Sequence, residues 1–224
     1  MLLSIPSVLT HDQLDTVRKL LANAHFVDGK LSAGMAAKRV KNNQELDKRA
    51  KQMDVLNNIV MSSLVPHPLY RSGALPLHVA TPLYARYTPG MRYGDHLDDP
   101  IMGADGVLYR SDIAITIFLN DPESYEGGEL VIRTSFGDNT VKLAAGHAVM
   151  YPASNLHRVN EVTRGERLVA VMWVQSLVRD PAKRELLHEL NQAREKLLQT
   201  APDTEETVRV NTAYMNLIRL WGDI

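Results

Sequence analysis

Histidine and aspartate stand two residues apart in Tyr93-Gly94-Asp95-His96-Leu97-Asp98-Asp99. Side chains two apart on a β-strand project from the same face, so His96 and Asp98 can share one metal ion. A third donor must come from elsewhere in the chain, and the candidate is His157, in Ser154-Asn155-Leu156-His157-Arg158-Val159. Two imidazoles and one carboxylate suit iron(II) and leave three coordination positions open, although these donors alone are also compatible with zinc. The chain contains no cysteine, which excludes disulfide frameworks, thiolate metal sites and cysteine nucleophiles. His-x-Asp by itself is a weak pattern, and His157 alone could be a hydrogen-bonded histidine at a sheet rim.

A second feature changes the weighting. Arg167 follows in Arg164-Gly165-Glu166-Arg167-Leu168-Val169-Ala170-Val171, at the head of an apolar strand. A guanidinium buried there needs an anion, because an unpaired charge in an apolar setting is expensive. Its planar fork matches a carboxylate, so a dicarboxylate chelating a metal at one end would present its other end to Arg167. The plainer alternative is an ion pair with Glu166, Glu161 or Glu129. Asp95 and Asp99 could serve as the base of a metal-dependent hydrolase or isomerase, but on a regular strand both point away from Asp98. His147, in a turn after Gly146, reads as structural.

These residues require a rigid β scaffold. From about 74 to 178 the chain offers eight strands rich in Val, Ile, Tyr and Thr: Ala80–Tyr87, Arg92–Leu97, Asp112–Leu119, Glu129–Thr134, Thr140–Leu143, Ala148–Tyr151, Leu156–Val162 and Leu168–Val174. Turn clusters separate them and no helical period intervenes, which argues for a jelly roll rather than a parallel α/β sheet. Residues 1 to about 70 read as helical, with Thr10 capping one helix and a second running from Gln44 to Leu64. Asp180-Pro181 starts a third, Ala201-Pro202-Asp203-Thr204 breaks it, and a last helix carries Trp221. The division is therefore 1–178, helices plus barrel, and 179–224, a helical appendage. The two apolar stripes of that appendage must bury against something; the expectation is a homodimer in which tail and N-terminal helices form the interface.

Formal net charge is −1, with 45% hydrophobic and 23% charged residues, so no basic excess points to nucleic acid. Lys38-Arg39-Val40-Lys41 reads as a solvated surface. The N-terminus lacks the features of a signal peptide, and no apolar run approaches the length of a membrane span. These features give the expectation of a cytoplasmic protein without membrane contact.

Taken together, His96-Leu97-Asp98, Glu126-Gly127-Gly128-Glu129-Leu130, Gly146 through Tyr151-Pro152 to Leu156-His157-Arg158-Val159, and Gly165-Glu166-Arg167 before a strand holding Trp173 resemble the prolyl 4-hydroxylase-type oxygenases over about 80–175. With its helical tail the whole chain resembles the bacterial PKHD-type hydroxylases, a group associated with iron uptake. The resemblance implies a mainly β fold with flanking helices, whose core is a double-stranded β-helix. It implies catalytic iron(II) held by His96, Asp98 and His157, and 2-oxoglutarate bound through its C5 carboxylate by Arg167, with the Tyr87 hydroxyl close by. It further implies dioxygen as oxidant, L-ascorbate as reductant, and hydroxylation of a small molecule or peptide with release of succinate and carbon dioxide. A second tyrosine common in such enzymes falls in the strand Ile113–Leu119, where this chain has Ile117-Phe118. A contrasting reading is a jelly-roll module that senses a metal or small molecule and dimerises through its tail; it would form no succinate. The segment Pro100–Arg110 is expected to be a loop over the site that sets substrate choice.

Overall fold

The computed structural model describes residues 1–104 and 106–224. Its core is a pair of facing antiparallel sheets. The larger follows the order Leu3–Ile5, Ala148–Pro152, Ile113–Phe118, Arg167–Ser176, Leu83–Tyr87, Gln44–Leu46 and Phe26–Asp28, with Pro76–Val79 also paired to Arg167–Ser176. The smaller runs Gly137–Val141, Leu130–Thr134, His157–Val159, Arg92–His96 and Lys41–Asn42. This jelly-roll arrangement is the one the strand spacing implied.

The larger sheet is covered on both faces. From the strand Ile113–Phe118, residues Ile113, Ile115 and Ile117 face outward to the helices, whereas Ala114 and Phe118 face the smaller sheet. All six residues of that strand are buried, so its sequence is a continuous apolar run rather than an alternation. The outer face is covered by α1 (His11–Ala22) and α2 (Met53–Leu64), through Leu14, Val17 and Leu21 and through Leu56, Val60 and Leu64. Thr10 caps α1 in a reciprocal box with Gln13, as its sequence suggests. A short α3 (Pro68–Ala74) leads back into the barrel. After the last strand, Asp180 caps α4 (Pro181–Thr200), and α5 (Glu205–Trp221) folds back along it. Leu187 and Tyr214 of this pair bury with Leu75 and Val178 in a small separate cluster, so part of the tail's apolar stripe is spent within the same chain. Among the described residues no helix is long and apolar enough to cross a membrane.

Three expectations change. The helix expected from Gln44 begins only at Met53; Gln44–Leu46 is a strand paired with Leu83–Tyr87. Leu46 fits the apolar stripe of a helix and the helix-covered face of a strand equally well, and pairing with Leu83–Tyr87 and Phe26–Asp28 decides. The N-terminal third is mixed rather than helical, because its strands are only two or three residues long and too short to show a period. Pro100–Arg110 is a β-hairpin of Ile101–Ala104 and Val107–Arg110 rather than a loop, with Asp105 outside the described residues.

Since Leu56 is fully buried between α2 and the larger sheet, Leu56→Ala should cost about 2–5 kcal/mol of unfolding free energy. Denaturant titration checks this; a loss below about 1 kcal/mol would mean that the helix does not depend on that contact.

Candidate metal and anion site

His96 and His157 are register partners on adjacent strands, so their side chains leave the smaller sheet side by side. Asp98 lies two residues beyond His96, past the strand end. One donor atom from each of the three residues lies within 4.8 Å of the others, and His157 Nε2 is 3.8 Å from Asp98 Oδ1. Each imidazole is held from behind in the same way. His96 Nδ1 donates to the Gly94 carbonyl at 2.8 Å and His157 Nδ1 to the Asn155 carbonyl at 3.0 Å. A carbonyl can only accept, so both Nδ1 atoms carry the proton and both Nε2 lone pairs face the cluster.

The charge state follows from burial. Desolvation, with His157 as second cause, pushes the His96 imidazole down to about 3, so it is neutral near pH 7. Burial pushes the Asp98 carboxyl up, and nearby His157 opposes this. Asp98 Oδ2 is buried without a hydrogen-bond partner. The Trp173 indole is close enough to favour the charged carboxylate, although its N–H also lacks a partner at bonding geometry. Two imidazoles tethered at Nδ1 and a buried carboxylate with an unpartnered oxygen make a receptor for a cation, and an iron(II) ion fits this donor set.

Across the same cavity of about 370 Å³ lies Arg167. It is 2% exposed, and its Nε has no partner. None of the three carboxylates weighed from sequence reaches it among the described residues: Glu166 faces Arg86, Glu161 pairs with Arg92, and Glu129 accepts from Asn160. Its neighbours are aromatic, with the guanidinium carbon 5.0 Å from the Tyr87 ring centroid and 5.7 Å from that of Phe118. Tyr87 is the register partner of Arg167, so both enter the barrel interior together. Burial pushes the Tyr87 hydroxyl up to about 12, leaving it a neutral donor at pH 7. The Gly127-Gly128 turn makes this packing feasible: both glycines have positive φ, and a Cβ on Gly128 would come within 3.1 Å of Arg167 Cδ.

The structure thus brings together all five residues singled out from sequence: His96, Asp98, His157, Arg167 and Tyr87. Asp95 points to the outer face, beside Arg133 and Arg158, whereas Asp99 lines the cavity instead of facing away. Sequence reasoning missed Tyr151, whose ring meets His157 edge-on at 5.2 Å, and the wall formed by Lys41, Asn43 and Glu45. Lys38 and Arg39 are exposed as expected, but Lys41 is buried against Glu45. Their short strands carry no periodic signal that could have revealed the wall. Tyr151 was visible only as part of Tyr151-Pro152.

Residues 82–175 match the family model of the 2OG-Fe(II) oxygenase superfamily, and residues 181–223 match that of the PKHD-type hydroxylase C-terminal domain. PKHD-type hydroxylases of Thioalkalivibrio sulfidiphilus and Acaryochloris marina are 51% and 48% identical to the chain, each over 100% of both sequences. Among solved structures, the prolyl-4-hydroxylase of Pseudomonas putida is similar at TM-score 0.52 and 19% identity, over 78% of this chain and 92% of that one. HygX from Streptomyces hygroscopicus, with nickel, 2-oxoglutarate and hygromycin B bound, is similar at TM-score 0.56 and 16% identity, over 79% and 84%. At these identities the solved structures speak to the fold alone.

A buried guanidinium without an anion is a stability cost in the ligand-free protein, offset only in part by the aromatic faces around it. Arg167→Met should therefore leave the ligand-free melting temperature unchanged or raise it, as calorimetry would read. A fall of several degrees would mean that Arg167 already has its counter-charge within the protein.

Proposed function

Because the chain belongs to the PKHD-type hydroxylases, which are 2OG-Fe(II) oxygenases, we propose that His96, Asp98 and His157 hold its iron and that Arg167 and Tyr87 hold its 2-oxoglutarate. The enzyme is an iron(II)- and 2-oxoglutarate-dependent hydroxylase. The observation that carries the residue assignment is a cation receptor and an unpaired buried guanidinium facing one cavity.

When bound, iron supplies the dioxygen chemistry that couples conversion of 2-oxoglutarate to succinate and carbon dioxide with hydroxylation of a C–H bond. The protein's part is positional. The Gly94 and Asn155 carbonyls each hold one imidazole at Nδ1, which sets the tautomer and leaves Nε2 as the donor towards the cluster. Arg167 receives the distal carboxylate through its fork, and the neutral Tyr87 hydroxyl beside it can donate a further hydrogen bond. The Trp173 indole lies beside Asp98 and favours its charged carboxylate. Leu130, Val159 and Val171 line the cavity with apolar surface that limits water. Ascorbate, as an external reductant that keeps iron ferrous, completes the proposal on family resemblance.

The substrate enters beside Leu97, Ile101 and Met102, which line the cavity at the base of the hairpin. Neighbours with this fold bind molecules as different as a peptide fragment and hygromycin B, so the class stays a small molecule or a peptide. Asp98→Ala should abolish iron-dependent succinate formation with an unchanged far-ultraviolet circular dichroism spectrum. Normal turnover in that variant would sink the ligand assignment.

Tail residues Leu186, Val208 and Leu220 are 61%, 58% and 75% exposed even after α4 and α5 have packed. We assign these faces to a two-fold contact between copies of the chain. Light scattering should give a dimer at micromolar concentration and a monomer for a chain ending at residue 178. A monomeric full-length protein refutes the contact.

A further inference from the structure

Between residues 41 and 46 the chain crosses from one sheet to the other. Lys41 is the register partner of Tyr93 at the edge of the smaller sheet, and Glu45 is the partner of Ala85 near the edge of the larger. The crossing closes the open side of the barrel at the cavity. Lys41 Nζ donates to Glu45 across it and to Ser32 Oγ at 2.9 Å, and both charged side chains are 7% exposed. The same ammonium lies 5.2 Å from the centroid of the Tyr93 ring. That ring in turn lies flat on the His96 imidazole, with centroids 3.5 Å apart and planes 9° from parallel. A continuous run of contacts therefore joins Glu45, Lys41, Tyr93 and His96.

We infer that Lys41, Glu45 and Tyr93 are positioning residues for His96, so that the crossing segment is a working part of the metal centre. The inference rests on the reading of His96 as a ligand. The Gly94 carbonyl fixes only one point on the imidazole and leaves the ring free to tilt about that hydrogen bond. A stacked aromatic removes the tilt, and the ion pair holds the aromatic against its strand. Fully buried ion pairs are on balance replaceable by apolar residues without loss of stability. Retention of one here is better explained by what it orients than by how firmly it holds the fold.

Cobalt(II) serves as the probe, bound to the full chain and followed by visible absorption, with the paramagnetically shifted ring N–H resonances of His96 and His157 as a second readout. Tyr93→Phe keeps the stacked ring and should bind cobalt within about twofold of the parent. Tyr93→Leu and the double variant Lys41→Met/Glu45→Met should each bind about tenfold more weakly, as loss of an orienting neighbour does at metal sites. The His96 resonance should move while that of His157 stays, and the double variant should melt no lower than the parent. Parent-like affinity with an unmoved His96 resonance in Tyr93→Leu or in the double variant overturns the inference. So does a loss of affinity that follows melting temperature and shifts both histidines alike. Should the double variant fail to fold, the contrast between Tyr93→Phe and Tyr93→Leu decides alone. A parent protein that takes up no cobalt overturns instead the ligand assignment on which this rests.

Discussion

Holding the guanidinium of Arg167 inside the barrel is worth several kcal/mol of unfavourable desolvation unless an anion meets it. Much of the interior can be understood as accommodation of that one charge. Tyr87 and Phe118 turn their rings towards it, which a cation tolerates better than aliphatic packing. The positive-φ Gly128 clears space beside its stem. The nearest plausible carboxylates are engaged elsewhere, Glu161 and Glu166 with other arginines and Glu129 with an asparagine. A protein that merely needed to bury an arginine would have used one of them. Leaving the charge open and aiming it into a cavity makes sense where a ligand supplies the counter-ion.

The opposite wall follows from strand register rather than charge. Pairing His96 with His157 places two imidazoles side by side with no adjustable loop between them, and the carbonyls two residues upstream fix both tautomers. A one-residue slip of either strand would turn a histidine to the outer face, where Asp95, Arg133 and Arg158 now sit. Burial of Ile132 and Val159 in the inter-sheet core opposes such a slip. The placement of the two imidazoles is thus maintained by ordinary hydrophobic packing one layer away.

Legibility in the sequence divides along the same lines. The barrel strands were readable because each carries several β-branched or aromatic residues between turn residues; most bounds shift by only a few positions, but the strand expected at Leu156–Val162 is broken into His157–Val159 and Val162–Arg164, which belong to different sheets. That His96, Asp98, His157, Arg167 and Tyr87 converge on one cavity was anticipated from residue type, since chemistry restricts which types can hold a metal or an anion and each stands out against its neighbours. The wall at Lys41, Asn43 and Glu45 was not readable. Its strands are two and three residues long, Leu46 satisfies a helical stripe as well as a strand, and a lysine in a basic run gives no sign of being buried. What decided its structure was pairing with strands some 40 to 50 residues later, and that information is not local. Tyr151 escaped for a related reason: a tyrosine in an apolar strand looks like core until the facing sheet supplies His157.

Four buried polar atoms without partners line the one cavity: Asn43 Oδ1, Asp98 Oδ2, Arg167 Nε and Trp173 Nε1. Each such group costs on the order of 1–3 kcal/mol while unsatisfied, and a fold that wanted only stability would not gather them. Two are acceptors, on Asn43 and Asp98, and two are donors, on Arg167 and Trp173, with the Trp173 donor close to Asp98. A cation at Asp98 and a dicarboxylate at Arg167 would each relieve one of these costs and be attracted to the other. Occupancy at one end should therefore strengthen binding at the other, and both should stabilise the barrel by mass action. On the proposed assignment, a metal and an anion together would satisfy more of these groups than either alone.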